Sequence, residues 1–236
     1  TLDRSSAASD VYKRQIIGIV ISLLAFDIGS VLRAKTGLAV LNPLLISIIL
    51  VIGFMVAFNI DYGSYIRSAR YLSYLLTPAT VALAVPLYQQ LQLLKDNLLA
   101  VVLGVLAGVL TSLGSILVLC TIFHMNHVEY ITLLPKSITT AIGMSVVEEL
   151  GGYTTITVAS IIVTGILGNV LADPICHLFA IHSPIAKGLA LGTSAHAIGT
   201  SKAMQIGEIE GAMAGLAIVV SGIMTVVGAS IFATFR

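Results

Sequence analysis

The sequence contains a long run without any charged side chain, residues 98–123. A helix needs about 20 consecutive apolar residues to cross the hydrocarbon core of a bilayer. The chain of 236 residues is 57% hydrophobic and 10% charged, whereas soluble domains carry about 25% charged residues. So few charges cannot cover a water-soluble surface, and we therefore predict an integral membrane protein. The run does not alternate as the strands of a membrane β-barrel do, which favours an all-α, polytopic helical bundle.

Polar residues divide the chain into apolar blocks. The blocks are residues 16–32, 44–60, 71–94, 98–123, 131–150, 154–179, 185–206 and 211–235. Most are predicted to be ordinary spans, and the second is predicted to begin at Asn42-Pro43. The third, fifth and seventh blocks are defective crossings, because prolines, glycines or polar side chains interrupt them.

Residues 1–15 are polar, rich in serine, and without an apolar stretch that could serve as the core of a signal peptide. We predict that they are a non-native or disordered leader, followed by a single transmembrane domain, residues 16–236. The sequence leaves open whether further helices precede Ile16. The membrane orientation is also open, because basic residues flank both ends of the second block.

Charge and motifs exclude several classes of function. The formal net charge is +1, which provides no basic surface for nucleic acid. Cys120 and Cys176 lie in apolar runs and the histidines form no compact ligand set, so no metal and no other cofactor is predicted. The motifs of nucleotide-binding and hydrolytic enzymes are absent, and we predict no enzyme. An intramembrane hydrolase that uses Ser137, Ser194 and His196 is the alternative.

The interrupted blocks carry the functional information. Irregular backbone at membrane depth survives only where it is buried in protein or lines an aqueous cavity. In the third block, Thr77-Pro78-Ala79-Thr80 has the pattern of a helix start. In the seventh block, residues 192–202 are too polar and flexible for a helix that faces lipid. These two breaks predict a pair of inverted repeats, each with a broken helix, although only their positions and no residue-by-residue identity link the two halves.

Small residues recur at four-residue spacing in three places. The pairs are Gly104/Gly108, Gly188/Gly192 and Gly211/Gly215. This spacing is typical of helices whose backbones approach closely, so we predict that these glycines serve helix packing.

Three stretches resemble one family of membrane proteins. They are LTPATVALAVPLYQQ (76–90), LPKSITTAIGMSVVEELGG (134–152) and SPIAKGLALGTSAHAIGTSKAMQIGEIEGAMAGLAIV (183–219). They resemble the LrgB/CidB family, which includes YohK and the plastid glycolate/glycerate translocators, and the resemblance runs from about Asn42 to the C-terminus. It implies one of two functions. Members are antiholin-like or holin-like modulators of murein hydrolase activity that work with a small LrgA/CidA-type membrane protein, or carriers of carboxylates such as glycolate, glycerate and pyruvate.

Lys136 is the most informative single residue. An ammonium near the bilayer centre costs about 3 kcal/mol on insertion scales, so such a lysine usually lies in a cavity or has a partner. Ser137, Thr139 and Thr140 follow it and could begin a helix around an anion. The alternative is that Lys136 lies in a loop exposed to water.

A second group of candidates lies in the seventh block: Thr193, Ser194, His196, Gly199 and Thr200. A histidine titrates near neutrality and could couple carboxylate movement to a proton. The alternative is a buried histidine that is hydrogen-bonded to backbone.

Several charged residues outside these groups also have predicted roles. Glu148 is predicted to face water at a segment end, with proton coupling as its alternative, and Asp27 is a further relay candidate. Lys202 is predicted to reach the surface, with an approach to the same cavity as His196 as its alternative. Asp173-Pro174 is predicted to cap a helix end.

We therefore predict a multi-pass protein of the bacterial cell membrane that carries small monocarboxylates, coupled to protons or by exchange. Its pocket would join Thr80, residues 136–140 and residues 193–200. The alternative is an antiholin-like regulator of autolysis that acts with an LrgA/CidA-type partner. The predicted partners are a small carboxylate and the lipid bilayer, and the oligomeric state stays open, a homo-oligomer included.

Overall fold

The computed structural model describes residues 2–38, 41–75, 78, 81–82, 85 and 88–236. Regular structure in these ranges is helical throughout, which confirms the all-α prediction. The α-helices are α1 (Leu2–Thr36), α2 (Pro43–Ala57), α3 (Tyr62–Ala69), α4 (Leu91–Asp96), α5 (Leu98–Ile122), α6 (His127–Leu133), α7 (Thr140–Leu150), α8 (Thr154–Leu178), α9 (Pro184–Ile206) and α10 (Glu208–Phe232). Short 3-10 helices follow α3 (Arg70–Leu75) and α10 (Ala233–Phe235).

The chain forms two compact units, residues 1–82 and 83–236. In the first unit, the side chain of Asn42 accepts hydrogen bonds from the first backbone amides of α2, and Pro43 occupies the first turn. This is the predicted start of the second block. Residues 2–15 of the predicted leader form the first turns of α1. The division of the chain at residue 15 stays a prediction.

In the described part of the chain, four helices are long and apolar enough to cross a membrane: Ile17–Thr36, Leu98–Ile122, Thr154–Leu178 and Glu208–Phe235. They correspond to four of the predicted ordinary spans. The remaining predicted span, residues 44–60 of the second block, is shorter than predicted, because α2 ends at Ala57 after 15 residues.

The seventh block is a helical hairpin and not a crossing. The backbone of α9 leaves helical geometry at Ala195 (φ −126°, ψ 15°) and His196 (φ 43°, ψ −135°). Gly188, near the start of α9, packs so closely on α10 that a Cβ there would clash with the carbonyl oxygen of Glu210. An unbroken helix would separate Gly188 from Glu210 by about 33 Å. The chain therefore runs out to a tip at Ala195 and His196 and then returns. We call residues 184–206 the second hairpin.

The fifth block also folds back on itself. It consists of α6, a tip at residues 134–139 and α7, and we call residues 127–150 the first hairpin. A Cβ on Gly143, in the returning limb, would lie 3.5 Å from the carbonyl oxygen of Pro135 in the tip. Beyond the end of α7, the backbone N–H of Tyr153 donates to Oγ1 of Thr132 in α6 at 2.9 Å. The predicted crossings at these two blocks are therefore corrected to hairpins, because each returns towards the end at which it entered.

The two hairpins enter the second unit from opposite ends. The outgoing limb of the second hairpin runs parallel to α5, because Leu189 and Thr193 pack against Gly104 and Gly108. The same limb runs antiparallel to α8, since it follows the C-terminal end of α8 while its tip packs against the middle of that helix. Helices α5 and α8 therefore run in opposite directions, and each is followed by a hairpin. This is an inverted repeat of one helix plus one hairpin.

Matching residues of the two repeats lie 56 positions apart in sequence. They are Phe123 and Phe179 after the long helices, Ala141-Ile142-Gly143 and Ala197-Ile198-Gly199 in the returning limbs, and Gly151 and Gly207 after those limbs. The close approach of Gly143 to the Pro135 carbonyl recurs as that of Gly199 to the Leu191 carbonyl. The inverted repeat thus pairs the fifth block with the seventh, where the sequence analysis paired the third. The break predicted around Thr80 lies outside the described residues.

Close packing of the second unit rests on its glycines. Gly104 and Gly108 of α5 face the second hairpin, and Gly188 and Gly192 of that hairpin face α10. A Cβ on Gly108 would lie 2.7 Å from Cγ2 of Thr193. These contacts confirm the helix-packing interpretation of both pairs.

Candidate functional site

The tip of the first hairpin holds a cluster of one ammonium and two hydroxyls. Nζ of Lys136 donates to Oγ of Ser137 at 3.1 Å and to Oγ of Ser112 at 3.3 Å. The two serine oxygens lie 3.0 Å apart. Ser137 is buried and Lys136 is half-buried. Among the described residues, no carboxylate lies within ion-pair distance of Lys136, since the ion pair found there joins Lys202 to Asp173.

This cluster lies near mid-depth of the long helices. Ser112 is two residues past the midpoint of α5 (Leu98–Ile122), which is about 3 Å along the helix axis. Lys136 lies in the turn between α6 and α7, as its alternative interpretation had it, and this turn packs against the middle of α5. The contact of its ammonium with water stays a prediction.

The tip of the second hairpin is anchored to α8. His196 is buried, and its Nε2 donates to the backbone carbonyl oxygen of Ile161 at 2.9 Å. The carbonyl can only accept, so Nε2 carries a hydrogen. The structure thus has the backbone-bonded histidine that the sequence analysis gave as the alternative, and proton coupling by His196 stays a prediction.

Helix α8 supplies a seat for this tip that sequence analysis missed. A Cβ on Gly165 would lie 2.7 Å from Cε1 of His196, and one on Gly168 would clash with Ala195. Nδ2 of Asn169 donates to the carbonyl oxygen of Ile198 in the returning limb at 3.3 Å. Gly165 and Gly168 leave room for the tip, and the side-chain amide of Asn169 gives a hydrogen bond to a backbone carbonyl beside the break. Their spacing in α8 was the available signal.

Ile161 of α8 contacts both hairpins. Its carbonyl oxygen accepts from His196 in the second tip, and its Cδ1 would lie 2.6 Å from a Cβ on Gly143 in the returning limb of the first hairpin. The two hairpins therefore pack against the same residue of α8.

The predicted hydroxyls of the second hairpin differ in their surroundings. Thr193 is buried, whereas Ser194 is exposed and donates to its own helix at the carbonyl oxygen of Ala190. Oγ1 of Thr200 donates to the carbonyl oxygen of His196 at 3.1 Å, and Gly199 packs on Leu191. Ser194 thus points away from the tip, while the other predicted residues of this group surround it.

At the first hairpin, Thr139 is the N-cap of α7 and its side chain makes no capping hydrogen bond. Thr140 is the first residue of that helix. Glu148 is exposed in the last turn of α7, as predicted for a segment end, while Asp27 is exposed in α1 of the first unit. Proton coupling by either carboxylate stays a prediction.

One prediction outside the tips is wrong. Asp173 and Pro174 lie inside α8, which continues to Leu178, so they do not cap a helix end. The side chain of Lys202 is 11% exposed and its Nζ donates to Oδ2 of Asp173 at 2.6 Å, so its surface position stays a prediction. The carboxylate, with its side chain 65% exposed, keeps the lysine in place.

A cavity of about 500 Å³ lies in the first unit, between α1, the end of α2 and α3. Its polar residues already take part in helix contacts. The carboxylate of Asp61 accepts from the amide of Ser64, the hydroxyls of Ser22 and Tyr65 lie 2.8 Å apart, and Oγ of Ser68 accepts from the amide of Gly18. These groups hold the helices together, so the cavity is a weaker candidate than the hairpin tips.

The sequence profile of the LrgB-like family matches residues 22–235. The chain is 35% identical over 216 residues to the antiholin-like protein LrgB of Bacillus subtilis (strain 168), covering 91% of this chain and 94% of the relative. It is 33% identical over 219 residues to the antiholin-like proteins LrgB of Bacillus mycoides (strain KBAB4) and Bacillus cereus (strain B4264), covering 92% of this chain and 95% of each relative. No solved structure matches the chain significantly.

These matches and the four long apolar helices agree on one class of protein. The chain is a multi-pass integral membrane protein of the bacterial cell membrane type.

Proposed function

We propose that this chain, which belongs to the LrgB-like family, is an antiholin-like protein that restrains cell-wall hydrolysis from within the membrane. The observation that carries this proposal is the 35% identity over 216 residues with a protein named antiholin-like. The resemblance in sequence implies that such a protein works with a small membrane partner of LrgA/CidA type.

The test uses Bacillus subtilis cells that lack their own LrgB. Expression of this chain should slow autolysis of non-growing cells compared with an empty vector, measured as the decline in optical density. Unchanged autolysis, with the protein found in the membrane fraction by immunoblot, would contradict the proposal. Co-purification with the host's LrgA-type protein would identify the partner.

A second candidate function is transport of small monocarboxylates, by proton coupling or exchange. The observation that favours it is the half-buried Lys136, which has two serine hydroxyls but no carboxylate near it among the described residues. A lysine at mid-depth has a high energetic cost, and the membrane proteins that keep one usually use it for function. An anion entering from water would balance its charge, with Ser112, Ser137, Thr139 and Thr140 as hydrogen-bonding groups.

The inverted pair of hairpins supports the same candidate. Two half-helices that enter a membrane protein from opposite sides and stop at mid-depth are a recurring way to build a substrate site. The returning limb of the first hairpin begins at Thr140, and its N-terminal amides favour an anion. For coupling, a proton would add to Nδ1 of His196, since Nε2 already donates to Ile161. Glu148 and Asp27 are the other candidates for that step.

Uptake of labelled glycolate or pyruvate into proteoliposomes tests the carrier. Wild-type protein should take up label faster than empty liposomes under an imposed proton gradient or with internal substrate. Lys136→Ala should abolish the uptake, whereas Lys187→Ala, at the outer part of the second hairpin, should retain it. Uptake equal to that of empty liposomes under every gradient would end the carrier proposal. If Lys136→Ala still slows autolysis in cells, regulation does not depend on transport.

A further inference from the structure

One hydroxyl at the tip of the second hairpin has no partner. Thr193 is 7% exposed, and its Oγ1 is the one buried side-chain polar atom in the described part of the chain without a hydrogen bond. Leaving a buried polar group without a hydrogen bond is unfavourable, because the group loses its bonds to water and gains none in return. Its neighbour Ser194 shows the usual solution, a bond to its own helix at the Ala190 carbonyl. Thr193 forgoes that bond, so its buried hydroxyl keeps unused hydrogen-bonding capacity.

The second repeat has no side chain that could form a hydrogen bond with this hydroxyl in the way that the first repeat does. Thr193 lies 56 positions after Ser137, whose Oγ has both Ser112 and Lys136 as partners. The residues 56 positions after Ser112 and Lys136 are Gly168 and Gly192. Glycine has no side chain to donate or accept, so the second repeat cannot reproduce the cluster of the first.

Thr193 packs on the same helix as that cluster. Thr193 packs on Gly108, and Ser112 follows Gly108 by one turn on the same face of α5. One turn is about 6 Å along the helix axis. A short acid could therefore touch both groups, with its carboxylate at the first hairpin and a second oxygen at Thr193.

We infer that one small monocarboxylate binds between the two hairpin tips, and that Thr193 selects acids that carry an oxygen on the carbon next to the carboxylate. Lys136 and the hydroxyls of Ser112 and Ser137 hold the carboxylate, and Oγ1 of Thr193 makes a hydrogen bond to the second oxygen. An unsubstituted acid of similar size leaves Thr193 unsatisfied and is rejected. This inference rests on the proposed carrier function.

The test compares labelled glycolate with labelled acetate in proteoliposomes that contain the full chain. Wild-type protein should take up glycolate at least about 10-fold faster than acetate, the ratio expected for one lost hydrogen bond. Thr193→Val, which keeps the shape and removes the hydroxyl, should bring that ratio close to one with acetate uptake retained. Thr193→Ser should restore the ratio. Ser230→Ala, at an exposed hydroxyl of α10 that bonds to its own helix, is the matched control and should leave it unchanged.

The outcomes separate this inference from the carrier proposal. Equal loss of both acids in Thr193→Val, with the protein still monodisperse on size exclusion, would make Thr193 a structural residue and overturn the inference alone. A wild-type ratio near one would do the same. Absence of uptake of either acid by wild-type protein would overturn the carrier proposal and this inference with it.

Discussion

Nε2 of His196 donates a hydrogen bond of 2.9 Å to the carbonyl oxygen of Ile161, and it does so from a backbone conformation that glycine favours. With φ 43° and ψ −135°, a Cβ at this position is strained. Such strain typically costs about 1–3 kcal/mol and persists where the surroundings impose it. The hydrogen bond to α8 and the seat formed by Gly165 and Gly168 therefore hold the tip in a conformation that the isolated chain would avoid.

This relationship predicts that the backbone and the side chain of residue 196 have opposite effects on stability: the strained backbone lowers it and the hydrogen bond of the side chain raises it. Both His196→Ala and His196→Gly lose the bond to Ile161, but only glycine relieves the strain. We expect His196→Gly to be more stable than His196→Ala by about 1 kcal/mol. Recovery of folded protein after heating in detergent, followed by size exclusion, measures the difference. If the alanine variant is the more stable of the two, the tip is not strained.

Glycine at position 168 is predicted to be required for the seat of the second hairpin. Gly168→Ala places a Cβ against Ala195, and such overpacking typically costs about 1–3 kcal/mol. Gly114→Ala is the matched control, because a Cβ there meets no atom within 4 Å and α5 is a helix of the same length. The control should be neutral or gain up to about 1 kcal/mol from helix propensity. Equal stability of the two variants in the same heating assay would contradict the packing described here.

Sequence alone predicts much of this fold because the bilayer imposes simple rules. The long blocks at 98–123, 154–179 and 211–235 are uniformly apolar, and they form α5, α8 and α10 within a few residues of the predicted bounds. Interrupted composition also predicted the candidate site. The interruptions led to Lys136 and Thr193, because polar groups in an apolar block are costly unless they are buried in protein or line an aqueous cavity.

The hairpins and their pairing could not be read from composition. A broken crossing and a hairpin have the same polar interruption, and only contacts such as that of Gly188 with Glu210 separate them. The position of the breaks predicts a repeat between the third and seventh blocks, without residue-by-residue identity, and not at the 56-residue offset that aligns residues 141–143 with 197–199. Ser112 and Asn169 were missed because each is a single polar residue in an apolar span, and its role depends on the tip that packs beside it.

Because the two hairpins enter the second unit from opposite ends, their ends should be accessible to reagents on opposite sides of the membrane. In a background with Cys120 and Cys176 replaced by alanine, single cysteines are placed at the two ends of each hairpin. The first hairpin is probed at His127 and Glu149 and the second at Ser183 and Glu208, all of them exposed. A membrane-impermeant maleimide added to right-side-out vesicles should label one pair and spare the other.

Inside-out vesicles are the control and should reverse the pattern. Labelling of Ser183→Cys and Glu208→Cys from opposite sides would mean that residues 184–206 cross the bilayer, and the hairpin would be wrong.

The ion pair between Lys202 and Asp173 is predicted to stabilise the second hairpin alone. It joins the returning limb to α8, and the positions 56 residues earlier, Val146 and Leu117, are apolar. Since the Asp173 side chain is 65% exposed, solvent screening should limit the coupling in a double-mutant cycle of Lys202→Met and Asp173→Asn to about 1 kcal/mol. Unfolding by SDS in micelles measures each free energy, and repeating the cycle in about 1 M salt should reduce the coupling, because exposed charges are then screened within about 3 Å. Coupling that is zero at low salt, or that does not fall at high salt, would show that the pair does not hold the limb through its charges.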